Sequence, residues 1–136
     1  MRTTEAVDTI GCTFRQLDYL TRLGIIKGQG TGSGNARSWP EELVARIALA
    51  YHIAQAIPTE RGQGVFPRMA QLVVDAPAPP RRGYAVVAVD PLWLIWAPSW
   101  ADVRRSVDGL GAAVVVSFDL DDLVGTRIDV DQLVPA

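Results

Sequence analysis

Apolar positions along the chain follow two different periods, and the change from one to the other divides the sequence. In the first part Ala6, Val7 and Ile10 recur three or four apart, as do Leu17, Leu20 and Leu23. The same spacing links Leu43, Val44, Ile47, Ala50, Tyr51 and Ala54 in PEELVARIALAYHIAQA, and Met69, Leu72 and Val73 in VFPRMAQLVVDA. This is the repeat of one helix face. Helix punctuation agrees: Thr3 or Thr4 can cap the first helix and Gly11 ends it, the Thr13 hydroxyl can cap the second and Gly24 ends it, and Pro58 stops the third. Pro40, Glu41 and Glu42 suit the start of that third helix.

The second part changes character. Ala85 to Val89, Leu92 to Trp96 and Ala113 to Val116 are apolar at every position rather than at alternate ones, which predicts strands covered on both faces. Only Asp90 and Pro91 separate the first two, so an antiparallel hairpin is expected there. Ser99 and Asp102 stand in capping-box relation at the head of a helix that Gly109 and Gly111 end, and Asp119 can cap a last short helix through Val124. The expected fold is α+β, with residues 1–75 as a helical first domain, the proline-rich stretch 76–83 as a semi-rigid linker, and residues 84–136 as a small β-β-α-β domain.

One helix covers one face of such a sheet, so the other face needs either the first domain or a second copy of the chain. Two-fold dimers are the commonest assembly, which favours self-association through Val87, Trp93, Ile95, Trp96 and Trp100. The same tryptophans could instead belong to the chain's own core, or line a pocket for an apolar effector and make this a sensor domain.

Candidate chemistry concentrates between Thr13 and Pro40. Arg15, Gln16, Tyr19 and Arg22 lie at helical spacing on a face separate from Leu17, Leu20 and Leu23, and the glycine-rich turn GQGTGSGN that follows is flanked by Lys27 and Arg37. A phosphate-binding loop is excluded, because no strand precedes the glycines and the Gly-Lys-Ser/Thr ending is absent. A free linker would not need the apolar anchors Ile25, Ile26 and Trp39 at its ends. Charge sharpens the picture. The net charge of -2 hides an excess of bases in the first forty residues and of aspartates after Ser106, so a polyanion would meet the first part and be repelled by the last. Arg61 and Arg68 could add backbone contacts.

Catalytic chemistry finds no constellation. With one histidine and one cysteine there is no nucleophile signature and no zinc pattern, and Leu123 stands where a calcium loop would want an oxygen ligand. No cofactor is expected and the chain does not read as an enzyme. The single Cys12 fits a reducing cytoplasm, and no apolar run suits export or a membrane span.

The stretch Thr13 to Trp39 resembles the winged helix-turn-helix of MerR-type transcription regulators. That family's recognition helix reads T-x-R-Q-L-x-Y-x-x-R-x-G-L-h, with h apolar, and leads to a wing ending R-x-Y or R-x-W. This chain has Thr13, Arg15, Gln16, Leu17, Tyr19, Arg22, Gly24, Ile25 and Ile26, then Arg37 and Trp39. The resemblance implies double-stranded DNA as partner, a homodimer on an inverted repeat, and RNA polymerase as a further contact. It also implies a DNA-contacting set of Thr13, Arg15, Gln16, Tyr19, Arg22, Lys27, Arg37 and Trp39. The chain departs from the family at Asp18, where an arginine is common, and prolines 58, 67, 77, 79 and 80 exclude the family's long dimerising coiled coil. Two other readings stand beside this one: an excisionase-like architectural factor, and a protein-interaction module without DNA binding.

Overall fold

A computed structural model describes residues 1–26, 38–57, 65–89, 91–108 and 113–125. Among them are six helices and a three-stranded antiparallel sheet, a mixed α+β architecture. The glycine-rich turn, with Lys27 and Arg37, lies outside the described residues, as does Arg61.

Helices α1 (Thr3–Ile10) and α2 (Phe14–Arg22) are separated by a short turn. Gly11 makes that turn in the left-handed region, φ 87°, and returns its N–H to Val7 O. Neither Thr3 nor Thr4 caps α1. Arg2 takes that position without a side-chain bond, and the Thr3 hydroxyl instead accepts from the Trp39 indole nitrogen at 3.0 Å. Trp39 N–H also donates to Met1 O at 2.7 Å, and the Met1 nitrogen to Trp39 O at 3.0 Å. These bonds zip the chain's start to the entrance of α3 (Glu41–Ala56), whose N-cap is Pro40.

The buried positions of α3 are Val44, Ile47, Ala48, Leu49, Ala50 and Ile53, a wider set than a single helical stripe. The expected stripe missed Ala48, Leu49 and Ile53, while its members Leu43, Tyr51 and Ala54 are only half-buried. The reason is its central place: α1, α4 (Val65–Asp75), α6 (Leu120–Gly125) and strand β3 (Ala113–Asp119) all pack on it. A helix surrounded this way must be apolar on several sides. Ile57 ends it in an extended conformation, as the residue before a proline prefers.

In the sheet, β1 (Arg82–Val89) lies between β2 (Leu92–Ala97) and β3 (Ala113–Asp119). Ala85 is opposite Trp96 and Val116, and Val87 is opposite Leu94 and Val114. These residues share the inner face, which joins the helical core. The outer face carries Val86 and Ala97 against Val103 of α5 (Trp100–Val107). Ser99 caps α5 by accepting from Asp102 N and donating to Asp102 Oδ2 at 2.8 Å. The Ser99 hydroxyl, with Arg105 second, holds the Asp102 carboxyl below the usual range. Asp119 accepts from Asp121 N at 2.9 Å and so starts α6.

Both sheet faces are therefore covered within one chain, the inner by the helical core and the outer in part by α5. One of the expected dimer residues is corrected by this arrangement: Val87 is fully buried in the core. Trp96 is half-buried, packing edge-on to Phe118 while its indole nitrogen donates to Pro77 O at 2.9 Å. Trp93 and Trp100 remain exposed, and Ile95 is half-buried on the outer face.

The stretch 76–83 does not hang between separate cores. Arg46 donates to Val74 O and Ala76 O, Leu120 N donates to Arg81 O, and one buried cluster runs from Ala6 to Leu120. Gly83 is needed where β1 starts, because with φ 154° a Cβ there would stand 2.8 Å from Ala97 O. Among the described residues no helix is long and apolar enough to cross a membrane.

Ile47→Ala should lower unfolding free energy by about 2–5 kcal/mol in urea titrations, since its side chain is fully buried. Because one core spans the chain, tryptophan fluorescence and far-UV circular dichroism should report the same midpoint. Distinct midpoints would mean that the sheet and the helices unfold as separate units.

Candidate nucleic-acid interface

Local chemistry explains why α2 begins and ends where it does. The Thr13 hydroxyl accepts from Gln16 N at 3.1 Å, and Gln16 Oε1 accepts from Thr13 N at 2.9 Å, a complete capping box. At the other end Gly24 takes φ 76°, Gly24 N donates to Thr21 O and Ile25 N to Leu20 O. Those two bonds form a Schellman motif. With Leu17 and Leu20 buried in the common core, the opposite side of α2 is fixed toward solvent.

That side displays Arg15, Tyr19 and Arg22, with Gln16 half-buried beside them. Together with Thr13 they line one groove of about 530 Å³, walled on its other side by Phe66 and Pro67 of α4. Five of the eight expected DNA-contacting side chains thus converge. Lys27 and Arg37 lie outside the described residues. Trp39 is the exception: it is 1 % exposed and bonded to Thr3, so it anchors the core rather than presenting a contact surface.

Asp18 and Arg22 form an ion pair at 2.6 Å along the helix. Both are well exposed, so the pair adds little stability, about 0.3–0.5 kcal/mol for this spacing. Its consequence is electrostatic. Asp18 partly neutralises Arg22, and Arg15 is left as the stronger positive point on α2. Phe14 at 55 % and Tyr19 at 49 % exposure also stand in solvent on this helix, as does its C-cap residue Leu23 at 50 %, which corrects the expectation that Leu23 packs with Leu17 and Leu20.

Neither the α4 wall nor the exposure of Phe14 is legible in the local sequence. Phe66 and Pro67 belong to a different helix, brought in by the edge-on packing of Phe66 against Tyr51 at 5.0 Å, and no local pattern signals that pairing. Phe14 occupies an unspecified position of the helix motif and stands three residues before Leu17, in the repeat of the packed face, so its spacing does not signal its exposure.

Cys12 is buried at the foot of the turn, and desolvation pushes its thiol up to about 11, with a small opposing bond to its own backbone. His52 is used structurally, its Nε2 lying 3.2 Å from Ser117 O of β3. No family model, curated protein or solved structure matches the chain.

Two measurements follow from this geometry. Thr13→Ala should cost about 0.5–2 kcal/mol by loss of the cap, read by urea denaturation. Cys12 should resist alkylation in the folded chain at neutral pH and react once urea unfolds it, read by mass spectrometry. The raised thiol value makes its contribution to stability complete below the ordinary value of 9.0 and lost as pH rises toward 11.

Proposed function

We propose that the chain is a sequence-specific, double-stranded DNA-binding transcription regulator of MerR-like type, acting as a homodimer on an inverted repeat. The observation that carries this reading is the convergence of Thr13, Arg15, Gln16, Tyr19 and Arg22 on one solvent-facing groove of α2. In this reading α1 and α2 form the helix-turn-helix and α2 enters the major groove. Arg15 is suited to guanine O6 and N7, Tyr19 to the backbone, and the Thr13 hydroxyl to a phosphate. Arg37, from the wing that the resemblance implies, holds a flanking phosphate.

The capping box refines the role of Gln16. Oε1 gives one of its two lone pairs to Thr13 N, so the cap sets where the amide points; in this reading the NH₂ group donates to a base acceptor, and a two-point contact to adenine has only the second lone pair to use from that orientation. A second reading, a protein-interaction surface, draws support from the exposed Phe14, Tyr19 and Leu23 and from the Asp18–Arg22 pair.

Selection of bound fragments from random duplexes, followed by fluorescence anisotropy across a salt series, separates the two. Arg37→Ala should weaken binding to all sequences and reduce the salt slope by about 0.9 for one lost phosphate contact. Arg15→Ala should cost about 1–3 kcal/mol on the selected site and relax preference at one base pair. Gln16→Ala should shift sequence preference, with less effect on the salt slope. No binding at any salt concentration would favour the protein-interaction reading instead.

A further inference from the structure

β2 is an edge strand that lacks the devices by which sheet edges are kept apart. Strand order β2-β1-β3 leaves its outer side without a neighbour, and among the described residues no other strand or side chain bonds that outer edge. Its sequence LWLIWA contains no charge, proline or glycine, the residues that usually blunt an edge. Helices pack on both edge strands, α4 and α5 on β2 and α3 and α6 on β3, and the difference lies in the imidazole of His52, which meets Ser117 O of β3.

Exposed apolar surface lies on the same strand's outer face. Trp93 is 40 % exposed with Ile95 two residues along, while Trp100, 57 % exposed and edge-on to Tyr84, stands at the other end of that face. From these observations we infer that β2 pairs antiparallel with β2 of a second copy of the chain, about a two-fold axis normal to the sheet, making one six-stranded sheet.

A second copy is the occupant that fits. Two identical uncharged strips meet without like-charge repulsion, whereas a partner chosen by charge would find nothing to read on Leu92–Ala97. An axis normal to the sheet keeps inner face with inner face and outer with outer. The antiparallel direction then carries Trp93 of each copy toward the Ala97 to Trp100 end of the other, joining two exposed tryptophans that lie apart in one chain. Their combined exposed area is about that of one whole side chain, ~150–250 Å² per copy. Even with the strand edge added, this is below the standard interface of about 800 Å² per partner, so the dimer is weak and concentration-dependent.

This pairing rests on the regulator reading only where that reading requires two copies, and it is tested without DNA. Sedimentation of the full chain should show the mass rising from 14.7 kDa toward twice that value between low and high micromolar concentration. Over the same range, hydrogen exchange at residues 92–97 should slow about tenfold or more while α1 is unchanged. Ile95→Glu and Ile95→Lys should each remain monomeric, and an equimolar mixture should dimerise again. A chain monomeric throughout, or one that dimerises with exchange at 92–97 unaltered, overturns the pairing. So does a dimer that both charged variants retain. A chain that dimerises through β2 but binds no duplex would instead overturn the DNA reading alone.

Discussion

The burial of α3 on several sides is the constraint on which the other elements depend. Ile47, Leu49 and Ile53 are each fully removed from solvent, at roughly 1.5–3 kcal/mol per side chain, and together they outweigh any single cap or surface ion pair among the described residues. Ala48 and Ala50 keep the helix slender where neighbours approach. Trp39 then fixes its entrance by binding the first residues of the chain, so α1 is held against α3 from its first turn. Since Leu17 and Leu20 enter the same cluster, α2 has one orientation available, and its polar face is turned outward as a consequence of core packing.

The sheet obeys the same constraint from the other side. Its inner face supplies Ala85, Val87, Val116 and Phe118 to the cluster that contains α3. Among the described residues the outer face receives only α5, centred on Val103, and the short length of that helix leaves Trp93 and Val115 uncovered. A fully apolar strand thus need not mean two equally packed faces. Here, among the described residues, it means one complete face, one partial face and, at β2, one open edge.

Much of this was legible in the sequence because it is local. The Thr13 cap, the Gly11 turn, the β1–β2 hairpin, the Ser99 cap and the Asp119 start of α6 all depend on residues within a few positions of one another. What could not be read depends on distant pairings. Arg46 satisfying the carbonyls of Val74 and Ala76, Trp96 reaching Pro77, and α3 meeting β3 join the regions that composition separates at the proline-rich stretch. The same holds for the candidate site. The helical side of the groove follows from spacing on α2, whereas Phe66 and Pro67 arrive through tertiary packing, and Trp39 matches a surface motif yet serves as a core anchor.

In the DNA-binding reading, the capping box of α2 sets structure and recognition against each other at a single side chain. A cap is worth about 1 kcal/mol, and a two-point base contact about 1–3 kcal/mol, so the second can displace the first only when its geometry is good. Under the DNA-binding reading, Gln16 keeps Oε1 on Thr13 N with one lone pair left, and meets bases from an amide orientation that the cap sets. Arg15 carries no such obligation, since among the described residues no hydrogen bond or ion pair holds its guanidinium. It can give both donors of its fork to one guanine while the cap stays intact. Discrimination along α2 should then fall unevenly, strongest at the base pair facing Arg15 and shallow at the one facing Gln16, because only one of the two side chains is free of the helix it stands on.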